Sequence, residues 1–481
     1  MDFPMFHLDW LNNRMLIAII AILHVIINHG LAVGFMPFVT WLEQRGVSRS
    51  GQDQITDLEW DNMVYKIMKV AFIITTTIGA MTGVGIWFSV ALVSPASIGS
   101  LIRVFYWAWF IEWLVFVTEV VLIMIYFLTW KNSNSSLKAK IRHINFGWYL
   151  SIFSWITMAI IVSILGFMMD PGNWETNKSL LNGFTNPIYL PQLLFRTPTA
   201  MLVAGIFGML LITLFTKAGS NLRLNAVKYA SKWLLLWAPI SLIGAYIYYN
   251  AMPEAMTANM STAVGTIAFS QYYDLLKYFV AGGVGFTLIV GIIGVYKTKV
   301  LKSYMVIIPV LTAIAYLGFF ERVREFIRKP YVIGQYMYSN LLLEDDYVVY
   351  KQDGILKHAT YTSVNEVTED NKIEAGKNVF TIACSRCHTA QGVNSILDVF
   401  DRMYGSTGKP LDVASMAAYM PNMHTARNFM PEFPGNEKEA EALATYIKYL
   451  QQTGDVLEGA QEEGISVNPN NSASALINKS K

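Results

Sequence analysis

Cysteine is nearly missing from this 481-residue chain, which has only Cys384 and Cys387. That scarcity excludes a pairing of either with a cysteine elsewhere. Charge is also scarce: 15% of residues are Asp, Glu, Lys or Arg, and they balance to a net +2, which says little about a partner. No phosphate-cradling glycine loop and no nucleic-acid signature stands out, so no nucleic acid is expected. No short cleavable apolar region precedes the first long one, which makes the first apolar run its own uncleaved targeting signal. What the chain has instead is apolar mass. Hydrophobic residues make up 54% and the mean hydropathy is +0.38, the composition of a protein held largely in a lipid bilayer.

Eight stretches are long and apolar enough to cross a hydrocarbon core about 30 Å thick, which takes about 20 helical residues. They lie near 15–42, 63–94, 101–130, 144–169, 197–216, 229–249, 275–296 and 303–320. Lys and Arg mark the cytoplasmic side, and they follow the odd-numbered spans: Arg45, Arg49 and Lys66; Lys131, Lys138, Lys140 and Arg142; Lys217, Arg223 and Lys228; Lys297, Lys299 and Lys302. The alternate loops are poor in them. Both termini are therefore expected outside a prokaryotic cytoplasmic (inner) membrane, with the polar C-terminal part on the periplasmic face.

The two cysteines belong to Cys384-Ser385-Arg386-Cys387-His388, a C-x-x-C-H element. This spacing attaches one c-type haem through two thioethers, with the histidine as an axial iron ligand; a disulfide or redox C-x-x-C is the alternative. An amphipathic helix ending at Phe380 precedes it, and Ala440, Leu443, Ala444 and Ile447 recur at helical spacing after it. The expected division is a membrane domain over 1–335, an extended linker over 336–365, a small globular unit over 366–452 and a flexible tail over 453–481. The small unit resembles a class I cytochrome c. Phe429-Met430-Pro431 is similar to that family's distal loop, which makes Met430 the implied sixth ligand opposite His388, with Met416, Met420, Met423 and His424 as competitors. The fold class is all-α: a polytopic membrane helix bundle plus an α-helical cytochrome c domain.

Ionisable side chains within a span cost about 2.5–3.5 kcal/mol each at a helix centre and mark cofactors or proton paths. Span one carries His24 and His29. Span three carries Glu112 and Glu119, seven residues apart and so within about 20° on one helix face, where two carboxylates can relay protons; two lone acids satisfied by neighbouring helices are the plainer reading. At the end of span eight comes a dense charged run, Glu321 to Tyr331. His7, His143 and His358 fall at or beyond span boundaries and read as solvated or interfacial. Most Trp and Tyr residues read as interfacial anchors or packing.

Glu325, Arg328 and Pro330 reproduce the E-x-x-R-x-P core of the glutamate-plus-GRQPW region in subunit I of cytochrome bd oxidases, with Tyr331 where that family has Trp. Residues 10–335 then fall into register with it. Arg14 precedes His24 by ten residues, as an Arg precedes that family's haem d histidine. Gly79-Ala80-Met81-Thr82-Gly83 resembles its GVATG, Lys140-Ile141-Arg142-His143 its K-x-x-H, and Gly166 to Pro171 its GWMQNP. Glu112 and Glu119 match its two third-helix glutamates, one residue closer together. The resemblance implies that His24 ligates a high-spin haem of d or b type, that Glu112 lies beside it, that Glu119 stands on the proton path, and that Glu325 ligates a second high-spin haem. His29 has no counterpart.

The departures from that family are as informative. Phe195-Arg196 occupies the place of the low-spin haem b histidine, Ala281 the place of its methionine, and the quinol loop shrinks to about 25 residues. Loss of low-spin haem b and of quinol binding, with gain of a cytochrome c domain, implies a membrane-bound reductase fed by an outer-face c-type cytochrome or other donor and reducing dioxygen to water. Nitric oxide reduction at the same site, or an electron-transfer subunit without turnover, are the alternatives. The family pairs subunit I with a related membrane subunit, so a second bd-like subunit is the expected partner.

Overall fold

The structure is a computed structural model that describes residues 6–48, 55–264, 273–405 and 410–457. The expected tail beyond 457 lies outside the described residues. Among the described residues the regular structure is helical apart from a small antiparallel ladder between Tyr331–Ile333 and Met337–Tyr338.

Seven helical spans among the described residues are long and apolar enough to cross a membrane: Asn13–Val47, Leu58–Val93, Tyr106–Ser133, Leu137–Met169, Tyr189–Phe215, Asn221–Ala251 and Ser303–Ile327. The remaining expected span is the helix Tyr273–Tyr296, whose apolar stretch Ala281–Tyr296 is shorter. The protein is thus a polytopic membrane helix bundle. Most helices run several residues past the apolar windows read from the sequence, because polar caps extend them: Ser136 accepts from Ala139 N at 3.1 Å and Asp57 from Trp60 N at 3.2 Å. The third span starts later than expected. Residues Pro95–Val104 form their own helix, and Phe105, at φ −108° and ψ 26°, separates it from Tyr106–Ser133.

The chain divides into two compact units. One comprises Ile20–Gly85 and Ile102–Arg324, the other the described parts of Met1–Ile19, Ile86–Leu101 and Glu325–Lys481. In the first, the fourth and fifth spans are central, with 61% and 72% of their apolar windows buried. Aromatic contacts fill the core, as where Trp41 stacks on Tyr229 at 3.7 Å and Trp60 Nε1 donates to the Leu42 carbonyl at 2.7 Å.

A buried ion network ties four spans of this unit together. Lys140 Nζ lies 2.6 Å from both Glu43 Oε1 and Asp61 Oδ1. Glu43 also accepts from Tyr126 OH and binds His143 Nδ1, each at 2.7 Å, while Trp130 Nε1 and Asn134 Nδ2 donate to Asp61 at 3.1 and 2.9 Å. His143, expected to be solvated or interfacial, is therefore buried and paired on both ring nitrogens, the second facing the Tyr126 carbonyl at 2.7 Å. Burial of two carboxylates is tolerated here because every charge has a partner and further hydrogen bonds. Lys140→Met is expected to cost about 3–5 kcal/mol, since it strands two acids in an apolar interior. The check is the thermal midpoint of the purified protein in detergent, against a Lys138→Met control on the exposed face.

In the second unit, the helices Lys372–Ala383 and Glu437–Thr453 cross closely. A Cβ on Gly376 would meet the Ala442 carbonyl oxygen at 2.0 Å, so only glycine allows this approach. The stretch 336–365, expected as an extended linker, is folded into the same core: Tyr338, Leu342, Tyr347, Ile355 and Leu356 are buried with Val379, Phe380 and Leu443. Glu439 fixes it by accepting from the Ile355 and Leu356 amides, each at 2.9 Å, while closing a capping box with Asn436. Its irregular pattern of tyrosines reads as loop in sequence because short 3-10 turns carry no long period.

Candidate functional site

The helix Lys372–Ala383 ends in a tight turn. Cys384 N donates to the Phe380 carbonyl at 2.9 Å, and Cys387 N and His388 N return to the Cys384 carbonyl at 3.1 and 3.0 Å. This turn gathers both cysteines and the histidine at one helix end. His388 Nδ1 faces the Asn394 carbonyl at 3.0 Å. A carbonyl can only accept, so Nδ1 carries the proton and Nε2 keeps its lone pair for a metal, the tautomer that an axial ligand requires. Burial pushes His388 down to about 4, which keeps the imidazole neutral. Asn394, at φ 59°, closes the loop by donating Nδ2 to the Cys387 carbonyl at 2.7 Å. The residues fit covalently attached haem.

At the methionine expected as sixth ligand, Met430 N donates to the Arg427 carbonyl at 2.8 Å and His424 Nδ1 donates to the Met430 carbonyl at 2.6 Å. Met430 is thereby pinned in a half-buried position, whereas Met416 and Met420 are fully packed into the core. His424 has a backbone to hold.

Arg14 and Glu325 meet within the same unit. Arg14 Nε donates to Glu325 Oε1 at 3.1 Å and Nη2 to Oε2, a two-pronged pairing, and Nη1 lies 3.9 Å from Cys387 Sγ. Arg328 reaches Glu325 at 3.9 Å. Residues 14, 325, 328 and 387, drawn from three distant segments of the sequence, form one constellation. Both members of the pair keep a face open, with side chains 24% and 32% exposed, and each carboxylate oxygen has a second lone pair, so Glu325 can still serve as an iron ligand. The N-terminal segment is held to the haem loop by Val393 N on the Trp10 carbonyl at 3.1 Å and Asn12 Nδ2 on the Val393 carbonyl at 3.3 Å.

In the other unit, His24 Nδ1 lies 3.1 Å from Thr82 Oγ1, whose own hydrogen goes to the Ile78 or Gly79 carbonyl at 2.8 or 3.0 Å. The hydroxyl must accept from the ring, so His24 Nε2 is again the free nitrogen. A Cβ at Gly83 would meet His24 Cε1 at 3.2 Å, so the glycine leaves room for the ring. The two functional letters of the Gly79–Gly83 motif thus act on the histidine that the sequence singled out. Glu119 accepts from Ser154 at 2.6 Å and Thr157 at 3.3 Å, on the fourth span. Glu112 stands seven residues, or about 10 Å, along the same face.

Arg196, at the place where the bd resemblance implies a haem b ligand, donates Nη2 to Glu321 at 2.6 Å; Glu321 also binds Arg324 Nε at 2.9 Å, and Arg196 Nη1 lies 3.4 Å from His29 Nε2. This set was not assembled from sequence, since its members lie on three spans. Its only sequence signal was charge inside spans. The network of Glu43, Asp61 and Tyr126 around Lys140 and His143 escaped for the same reason.

Residues 371–447 match the family model described as cytochrome C oxidase, cbb3-type, subunit III. Among solved structures, the chain is similar to the bd oxidase from Geobacillus thermodenitrificans, with a TM-score of 0.51 and 14% sequence identity, over 67% of this chain and 87% of that one. No curated protein matches. At that identity the likeness is one of fold. The chain joins a membrane bundle of bd-oxidase fold to a cytochrome c domain. The domain over residues 371–447 implies haem c, for which the C-x-x-C-H turn supplies both cysteines and the histidine.

Met430→Ala is expected to remove the sulfur-to-iron charge-transfer band and lower the haem c potential with little loss of stability. Met416→Ala and Met420→Ala are expected to keep the band but cost about 2–5 kcal/mol each, as buried core truncations do. Absorbance and redox titration of the oxidised protein separate the two outcomes.

Proposed function

We propose that this protein is a terminal reductase of a prokaryotic inner membrane that takes electrons from an outer-face c-type cytochrome or similar donor and reduces dioxygen to water. The observation that carries the reading is that one chain holds a histidine with Nε2 free for iron, His24, two carboxylates on one helix face, Glu112 and Glu119, and a C-x-x-C-H motif. Bound haem supplies the redox chemistry and the site for dioxygen. The reduction consumes four electrons and four protons for each dioxygen, so a supply of both must reach the site.

The residues divide that work. Cys384 and Cys387 tether haem c, and His388 and Met430 ligate it. His24 holds a high-spin haem of d or b type, with its ring fixed by Thr82, and Glu325 holds a second, its charge balanced by Arg14 and Arg328. Glu119 holds a proton at its carboxyl between Ser154 and Thr157 and passes it along the helix face to Glu112. A conduit without turnover needs no such pair. Arg196, committed to Glu321, offers no lone pair to iron, which supports the absence of the low-spin haem b. Without that haem, and with a short loop before the seventh span, quinol is not the electron source. A second bd-like membrane subunit is the expected partner, facing the bilayer-exposed bundle surface.

Oxygen uptake by the purified protein with a reduced c-type cytochrome tests this function. Turnover with the cytochrome and none with quinol is expected; the reverse contradicts the reading, and uptake of nitric oxide alone would replace the substrate. Glu119→Gln is expected to slow oxygen uptake by about 10²-fold or more, the usual worth of a positioned proton-transfer group, with haem content unchanged.

A further inference from the structure

Six residues after Glu325 the chain places a pair of stacked phenols on one carboxylate. The Tyr331 and Tyr338 rings lie 4.7 Å apart at 11°. Tyr331 OH donates to Glu344 Oε1 at 2.9 Å, and Tyr338 OH donates to the same oxygen at 3.4 Å. Tyr347 packs on Tyr338 at 4.6 Å, but its hydroxyl accepts from Asn340 Nδ2 at 2.8 Å and has no carboxylate. Tyr338 is buried and Tyr331 half-buried. Burial, with the neighbouring Glu344, holds both phenols above the ordinary tyrosine range, so both are protonated at neutral pH. Packing alone would be served as well by two phenylalanines. The shared carboxylate is the feature that packing leaves unexplained.

We propose that Tyr331, Tyr338 and Glu344 form a redox-active tyrosine pair that gives one electron to a strong one-electron oxidant, of the class formed when dioxygen or peroxide is reduced at haem, and the accompanying proton to Glu344. Its physiological oxidant rests on the oxygen-reducing function given above. In the step, the Tyr331 O–H bond breaks, the electron goes to the oxidant, the proton goes to Glu344 Oε1, and a neutral tyrosyl radical remains. Tyr338 then gives its electron to the Tyr331 radical. Glu344 returns the first proton to the Tyr331 oxygen as it takes the Tyr338 proton, so this second transfer leaves the charge of the site unchanged. Tyr347, with no base on its hydroxyl, ends the line. The pair supplies an electron when the haem c donor is exhausted.

The test is electron paramagnetic resonance of the full-length haem-loaded protein after two treatments: hydrogen peroxide with rapid freezing, and flash excitation of a ruthenium polypyridyl photo-oxidant with persulfate. Both are expected to give a tyrosyl signal that falls in Tyr331→Phe and Tyr338→Phe and forms more slowly in Glu344→Gln. These substitutions keep the rings and shapes, and haem content is the folding control. A signal unchanged in yield and lineshape in both phenylalanine variants overturns the proposal. A variant-sensitive signal from the photo-oxidant but none from peroxide supports the pair while contradicting oxygen chemistry at the haems.

Discussion

The pairing of Arg14 with Glu325 is the constraint on which the C-terminal unit depends. It brings the beginning of the first span and the end of the eighth to the haem-attachment turn, with the arginine also at Cys387. A carboxylate near the edge of a membrane is costly unless a cation is fixed beside it. Arg14 meets that need with a planar fork that engages both oxygens, while Arg328 adds charge from one turn further on. A lysine in place of Arg14 would keep the charge but lose the two-pronged hold that sets the carboxylate's orientation.

Both histidines proposed as iron ligands are prepared in the same way. Each gives the hydrogen of Nδ1 to a fixed acceptor, the Asn394 carbonyl for His388 and the Thr82 hydroxyl for His24, and so presents Nε2. The two acceptors come from different kinds of structure. One is a loop closed by a residue at positive φ; the other is a helix whose glycine leaves space for the ring. The chemistry asked of each ring, a neutral nitrogen ligand in a set orientation, is the same.

Legibility in the sequence followed chain distance. The C-x-x-C-H turn, the spacing of Glu112 and Glu119, and Thr82 with Gly83 are local patterns, and each could be read from a few residues. The helical bundle was legible because apolar runs of span length have few other uses. What stayed hidden were contacts between distant residues. Lys140 finds Asp61 and His143 finds Glu43 at separations of 79 and 100 residues, and nothing in the local pattern of either announces its partner. The folding of 336–365 was missed for a related reason: its order comes from Glu439 and a shared core, not from any period of its own. Arg196 stood out as a departure, yet its pairing with Glu321 became visible only in three dimensions.

The central claim is that one chain holds haem c together with a high-spin, ligand-accepting haem and lacks the low-spin haem b of quinol-fed relatives. A reduced-minus-oxidised optical spectrum of the purified protein, with pyridine haemochrome quantitation and carbon monoxide added to the reduced state, addresses it directly. The account predicts one haem c, a carbon monoxide-sensitive high-spin signal and little low-spin b. Haem c alone, or low-spin haems indifferent to carbon monoxide, would contradict it and leave an electron carrier without turnover.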